Sequence, residues 1–309
     1  MMPIVVWLEL PCVDRMLFTS EKPVPGAKIV VPHSESLGGG VGGNFAAALR
    51  LFDVDVVAVG LATTDPLART DYDDLTSRGV ELVEVEVQNG SVDPIVCTLI
   101  VPEDTDRTIL IEYPKISGED YASLRADFVS AIRRLALRGP VGTYLGVLRP
   151  EPANAILSLG TAVGPMACTL EASDWATDDT AAVLDKMDVV FVAEETFLER
   201  REDIQRWHKR NHFDLIITLG SRGTRTVLRD GTVDVFPSVP PTSGRAVDTS
   251  GAGDCFAATY CAHAWAGASH TDALQKAAMT AGEHVAFQGA RVRPDLLGLD
   301  KNSKHGRGL

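Results

Sequence analysis

The chain has 309 residues, with 29 Lys and Arg against 42 Asp and Glu, giving a formal charge of −13. Hydrophobic residues make up 45% and charged residues 23%, which excludes a disordered or collagen-like chain and leaves room for a sizeable α/β core. The acidic balance, without any run of Lys and Arg, argues against nucleic acid and against an anionic membrane surface as partners. A phosphorylated small molecule stays open, because backbone N–H groups can supply local positive potential. The 5 cysteines are scattered at 12, 97, 168, 255 and 261 without a C-x-x-C, a pattern of reduced thiols in a cytoplasmic protein. The N-terminus lacks a basic leader, and no apolar run of about 18 residues offers a membrane span.

In chain order, Pro3–Leu10 is an apolar run of strand length, predicting a buried strand. Lys28–Val31 predicts a shorter one. Residues 43–52 are Ala-rich, with Phe45, Leu49 and Phe52 at helical spacing. A strand over Asp55–Val59 precedes a helix over Asp65–Arg78, ended by Gly79. Strands follow over Val80–Val87, Ile95–Val101 and Thr108–Tyr113. Beyond 115, helices over 119–137, 152–160, 176–187 and 203–211 alternate with strands over 141–147, 166–170, 188–193 and 214–219. Two short strands (224–229, 232–236) and two helices (252–266, 271–287) close the chain, and 302–309 reads as a polar tail. The alternation predicts a mainly parallel sheet covered by helices on both faces. Segments 12–37 and 91–116 carry strands without helices and are expected to form a small projecting β lid over a cleft, discontinuous in sequence, on a single domain spanning 1–309.

One motif carries the most chemistry: Asp248-Thr249-Ser250-Gly251-Ala252-Gly253-Asp254, followed by an Ala-rich helical segment. Gly-Ala-Gly lets the backbone turn tightly and approach a ligand. At a helix N-terminus, unpaired N–H groups and the positive dipole end suit an anion. Asp254 beside that anion makes sense as the group that takes a proton from an attacking hydroxyl. An ordinary helix N-terminus, where Asp is favoured, is the alternative for a lone G-x-G-D. A second glycine run, Leu37-Gly38-Gly39-Gly40-Val41-Gly42-Gly43-Asn44, enters the first predicted helix. It also satisfies G-x-G-x-x-G, but a dinucleotide fingerprint should follow a strand, and Pro32–Ser36 reads as a break. His208 and His212, at i and i+4, read as a solvated helix face, as do Asp71, Asp73 and Asp74.

The run DTSGAGDCF resembles the C-terminal signature of the PfkB/ribokinase family of carbohydrate and nucleoside kinases, and the glycine run followed by Asn44 resembles the N-terminal one. The resemblance spans about residues 3–292. It implies a ribokinase-like three-layer α/β/α fold, with Asp254 as catalytic base and Gly251, Ala252 and Gly253 as the anion hole. It assigns Asp14, Gly39, Gly40 and Asn44 to the sugar. Thr218, Gly220, Ser221 and Gly223 match a nucleotide-binding strand–loop. Arg107 matches an arginine that reaches the nucleotide phosphates, and Ala278 and Gly282 would lie near the adenine. Where many members carry N-x-x-E to organise Mg²⁺ through water, this chain has Ala193, with Glu194 or Glu195 as the carboxylate. Carbonyls near Asp248 and Ser250 are implied as a K⁺ site. The stretches DVVFVAEET and RTILIEYP look closest to the ketohexokinase and sulfofructose kinase branch, although Val41 stands where ketohexokinase has a sugar-binding Asn.

The resemblance therefore implies ATP-dependent phosphorylation of a sugar hydroxyl, ketose-like or related, by a cytoplasmic homodimer paired through its lids. The alternatives are a nucleoside kinase of the same family and, from another class, a non-catalytic sugar- or nucleotide-binding regulator.

Overall fold

The computed structural model describes residues 1–102, 107–146, 148, 158–159, 164–171, 178–211 and 213–296. The helix expected over 152–160 (apart from 158 and 159), the start of the one over 176–187, His212 and the tail at 302–309 lie outside the described residues.

The first strand, β1 (Ile4–Glu9), is buried at every position. Its side chains alternate between two cores: Val5 and Trp7 join one, Ile4, Val6 and Leu8 the other. A strand covered on both faces needs apolar residues without interruption, which is why this run reads as continuous rather than alternating. Around it lies a nine-stranded sheet in the order β13-β12-β11-β10-β9-β8-β1-β4-β5. Its other strands are β4 (Val56–Leu61), β5 (Glu81–Val85), β8 (Gly142–Leu145), β9 (Met166–Leu170), β10 (Val189–Ala193), β11 (Asp214–Thr218), β12 (Thr224–Val227) and β13 (Val233–Phe236). The pairs from β11 to β5 are parallel, while β12 and β13 add an antiparallel edge.

Helices cover both faces. On one, α3 (Gly118–Ala136) buries Leu124, Phe128 and Ile132 against Trp7 and its neighbours, with Phe128 edge-on to Trp7 at 5.0 Å between ring centroids. On the other lie α1 (Val41–Leu49), α7 (Ala252–Ala264) and α8 (His270–His284). Helix α1 packs on α7, and both bring small buried residues to this core, Ala46, Ala47 and Ala48 from α1 and Ala257, Ala258 and Cys261 from α7. Small side chains let the two backbones approach closely, and this close approach brings the two glycine-rich N-termini together. The remaining helices are α2 (Pro66–Ser77), α4 (Asp178–Leu184), α5 (Glu194–Glu199) and α6 (Arg201–Asn211). Among the described residues, no helix is long and apolar enough to cross a membrane.

A separate four-stranded sheet has the order β3-β2-β6-β7, built from β2 (Cys12–Thr19), β3 (His33–Gly38), β6 (Ile95–Pro102) and β7 (Thr108–Glu112). These strands come from the two segments that break the helix–strand alternation. Two expectations about them fail. Lys28–Val31 is not a strand, and His33–Ser36 is not a break but the body of β3. The reason is exposure. As an edge strand, β3 faces water at most positions, so it can read HSESLG without any apolar alternation. The apolar Val30, by contrast, is 83% exposed in a loop. The G-x-G-x-x-G run therefore does follow a strand, but one paired antiparallel to β2 in the small sheet. A dinucleotide fingerprint requires the parallel strand of a βαβ unit.

Candidate active site

Helix α7 begins at Gly251, whose φ of +68° is left-handed. A Cβ there would run into the Ala290 carbonyl, so only glycine fits the turn. No side chain caps the helix. The amides of Gly253 and Asp254 have no backbone acceptor outside the helix among the described residues, whereas Cys255 already donates to Gly251 O at 2.8 Å. Open space lies where a Cβ on Gly253 would point. Free N–H groups, the dipole end and open space together make an anion cradle.

Asp254 sits in the first turn of this helix, half-buried. Its Oδ2 accepts a hydrogen bond from Asn44 Nδ2 at 2.9 Å. Asn44 lies in α1, so this contact joins residues 210 positions apart and brings the two glycine-rich motifs to one centre. Burial pushes the Asp254 carboxyl up to about 8; Asn44 opposes this, while Glu171 and Asp14 add to it. The other amide atom of Asn44, Oδ1, is buried without a partner among the described residues, leaving an acceptor that a ligand hydroxyl can satisfy.

Asp14, on β2, is 8% exposed. Burial lifts its carboxyl to about 6, against the attraction of Arg291. No protein group donates a hydrogen bond to it among the described residues. Gly39 packs directly on this carboxylate: a Cβ there would collide with it. A Cβ on Gly40 would lie 2.7 Å from Cys12 Cβ. Asp14, Gly39, Gly40 and Asn44 are thus brought together around the face of Asp254.

Beneath the glycine loop lies a buried ion-pair network that the sequence reading missed. Arg291 pairs with Asp71 and, at 2.6 Å, with Asp74; it also donates to Gly39 O at 3.3 Å. Asp71 in turn accepts from Cys12 N at 2.8 Å. Asp71 is 2% exposed, so its assignment to a solvated helix face is corrected. It shares the inner face of α2 with Ala68 and Leu75, one turn away on either side, both fully buried. Glu171 was also missed. It immediately follows the C-terminal end of β9, the position where a parallel sheet places ligand-facing residues.

The expected nucleotide residues fall into two groups. Thr218 ends β11, and Gly220 opens a single 3₁₀ turn over Gly220–Arg222 with nothing above it. Ser221 is exposed, and its carbonyl accepts from Ser238 Oγ at 2.6 Å. Arg107 bridges the small sheet to the anion cradle, donating to Asp248 Oδ1 and Thr249 Oγ1 at 3.2 Å each. Gly223 and Gly282, however, are accounted for by packing, since a Cβ on either would strike a backbone carbonyl, that of Phe236 or Val239. Ala278 packs half-buried against the α1–α7–α8 core.

For the metals, Glu194 and Glu195 open α5. Glu194 pairs with Arg222 of the 3₁₀ turn, and Glu195 is exposed. Hard carboxylate oxygens beside that loop fit a Mg²⁺ held through water. The Ser250 carbonyl fits K⁺ poorly, because the buried imidazole of His284 donates to it through Nε2 at 2.7 Å. The Asp248 carboxylate is likewise taken by Ser250 N, Gly289 N and Arg107, and these donors hold it below its ordinary pKa against the opposing effect of burial.

A family model described as pfkB family carbohydrate kinase matches residues 8–295. No curated protein matches the sequence. Among solved structures, a microbiome-derived acarbose kinase superposes with a TM-score of 0.78 at 17% identity, covering 94% of this chain and 95% of that one. Arabidopsis thaliana ribokinase, complexed with ribose and ATP, gives 0.70 at 20% identity over 97% and 99% of the two chains. Adenosine kinase from Sinorhizobium meliloti gives 0.74 at 17% identity over 98% and 99%. At these identities the superpositions establish the ribokinase-like fold.

Proposed function

The chain belongs to the pfkB family of carbohydrate kinases and is an ATP-dependent kinase, and from this premise we propose that it phosphorylates a primary hydroxyl of a sugar, with Asp254 as general base. The observation that carries the reading is the Asn44–Asp254 hydrogen bond of 2.9 Å. It places a group suited to binding hydroxyls beside a carboxylate whose pKa of about 8 suits proton abstraction near neutrality.

The sugar lies between the main sheet and the small one, with hydroxyls donating to Asp14 and to the free Oδ1 of Asn44. ATP lies over the Gly220–Gly223 loop, its γ-phosphoryl against the free amides of Gly253 and Asp254, while the Ala252 amide is held by Thr249 O at 3.3 Å. Asp254 takes the hydroxyl proton as the oxygen attacks phosphorus in line. The amides then stabilise charge on the transferring group without reorganising. Arg107, already at the cradle's edge, supplies a permanent positive charge toward the phosphates. Mg²⁺, when bound with the nucleotide, neutralises phosphate charge, and Glu194 or Glu195 would hold it through water. The small sheet acts as a lid that keeps water from the phosphoryl group. Its edge strand β7 exposes Ile109, Leu110 and Ile111, each about half accessible. Apolar residues on an unpaired edge favour pairing with a second copy, giving a dimer through the lids.

A panel of sugars and nucleosides scored by ADP release tests the reading. A sugar is expected to give the highest kcat/KM. Preference for nucleosides would reassign the acceptor, and binding without ADP release from any alcohol would make the protein a regulator. Two variants probe the site's parts. Gly39→Ala pushes a methyl into the Asp14 carboxylate and should raise the sugar KM on the order of a hundredfold, about 3 kcal/mol, with the ATP KM unchanged. In wild type, kcat/KM should rise with pH through about 8, as Asp254 loses its proton. Asn44→Ala removes the donor that favours the charged carboxylate, so its limb should move to higher pH. A limb that stays in place would separate Asn44 from the base.

A further inference from the structure

Two cysteines and the proposed sugar carboxylate converge on one face of the small sheet. Cys12 and Asp14 are two residues apart on β2, so they point the same way. Cys97 on β6 is the register partner of Asp14 in a parallel pair and shares that face. The two sulfurs lie 3.8 Å apart, and one ligand atom from each of Cys12, Asp14 and Cys97 falls within 4.8 Å of the others. Two thiolates at about 2.3 Å from a tetrahedral Zn²⁺ stand about 3.8 Å from each other, so the sulfurs already have the spacing the ion requires. All five cysteines are free.

The surroundings hold these ligands in place. Cys12 is 7% exposed, its backbone N–H is fixed by Asp71 Oδ2 at 2.8 Å, and its Cβ fills the space left by Gly40. Asp14 is confined by Gly39 yet receives no hydrogen bond from the protein among the described residues, so its oxygens are available. Cys97 is only partly buried, so the cluster is not closed off from solvent. Ligands held by packing and backbone contacts need little reorganisation to bind.

We propose that Cys12, Cys97 and Asp14 form a three-ligand site for a thiophilic divalent cation such as Zn²⁺, with the fourth position open to water, and that the bound ion excludes the sugar. Coordination expels the two thiol protons to solvent. The exclusion rests on the functional reading above, in which Asp14 accepts a sugar hydroxyl; the binding does not.

The test uses full-length reduced protein titrated with Co²⁺ and then Zn²⁺. One ion per chain is expected, with a thiolate-to-cobalt charge-transfer band that Zn²⁺ abolishes. Cys97→Ser should weaken binding on the order of a hundredfold and diminish that band, since only the Cys12 thiolate remains, while keeping its activity in metal-free buffer. In kinase assays, Zn²⁺ should raise the sugar KM of wild type and leave that of Cys97→Ser unchanged. Equal Zn²⁺ affinity in the two proteins, or cobalt binding without a thiolate band, overturns the site. Thiolate-bound metal with no effect on the sugar KM upholds the site and instead overturns both the exclusion and the role of Asp14 in the sugar pocket.

Discussion

Asp254→Asn should lower kcat by about two to four orders of magnitude, the range that loss of a positioned general base produces, while the Kd for ATP stays close to wild type. The substitution keeps size and shape but removes the group that can accept the hydroxyl proton. The amides of the helix start, which carry nucleotide affinity in this reading, are untouched. The same variant should be more stable than wild type above neutral pH. Asp254 binds its proton more tightly folded, at about 8, than an ordinary Asp at 3.8. A carboxylate raised on folding costs stability as pH climbs from the lower value to the upper one, and the cost is fully present above the upper one. Removing the charge removes that cost, so Tm should rise at pH 9 and change little at pH 4. Lower activity with higher Tm is the signature of a residue kept for chemistry at the expense of the fold. Turnover within tenfold of wild type would dismiss Asp254 as the base.

What the sequence discloses follows from what each residue faces. Strand β1 is visible because both of its faces are buried, and burial on two faces leaves only apolar residues to choose from. The helix at 252 is visible because a left-handed turn against the Ala290 carbonyl admits only Gly251. Strand β3 is hidden because it is a solvent-facing edge. Its partner β2 is hidden because Cys12–Thr19 alternates only partly, with Asp14 buried rather than turned outward to water. Helix α5 is six residues long, too short for a helical period to show. The site's electrostatics were legible only where a motif named the residue. Asp71 looks like any acid in a polar helix until Arg291, 220 positions later, is seen to fill the space beside it. Side-chain pairs across such distances leave no trace in spacing or composition. The same holds for Cys12 and Cys97, which the cysteine pattern treats as unrelated thiols.

Arg291→Met should destabilise the protein by about 3–5 kcal/mol at pH 8, the usual consequence of stranding one member of a buried ion pair. The Arg291 and Asp71 side chains are 5% and 3% exposed, so solvent screens neither. Without the guanidinium, Asp71 keeps, among the described residues, only the Cys12 amide as a donor. Burial already raises the Asp71 pKa, and Arg291 is the largest influence holding it down. Its removal lets that pKa climb further. The loss of stability should therefore grow as pH rises above the usual carboxylate range, and shrink toward pH 4, where the stranded carboxyl can protonate. Asp71→Asn combined with Arg291→Met should recover much of the loss, because the double variant has no unpaired charge to bury. Denaturant melts of wild type and the two variants at pH 5 and pH 8 decide the matter. A loss under about 1 kcal/mol at pH 8, or no recovery in the double variant, would show the network to be dispensable. The single variant should also lose sugar affinity, since the guanidinium supports the glycine loop directly. A Cβ on Gly38 or Gly43 would lie 2.5 Å from its nitrogens, and Gly39 O accepts from Nη2. Gly38 and Gly43 are thus required by the arginine beneath the loop, so that one buried cation fixes both the height of the loop and the position of Asp14 against it.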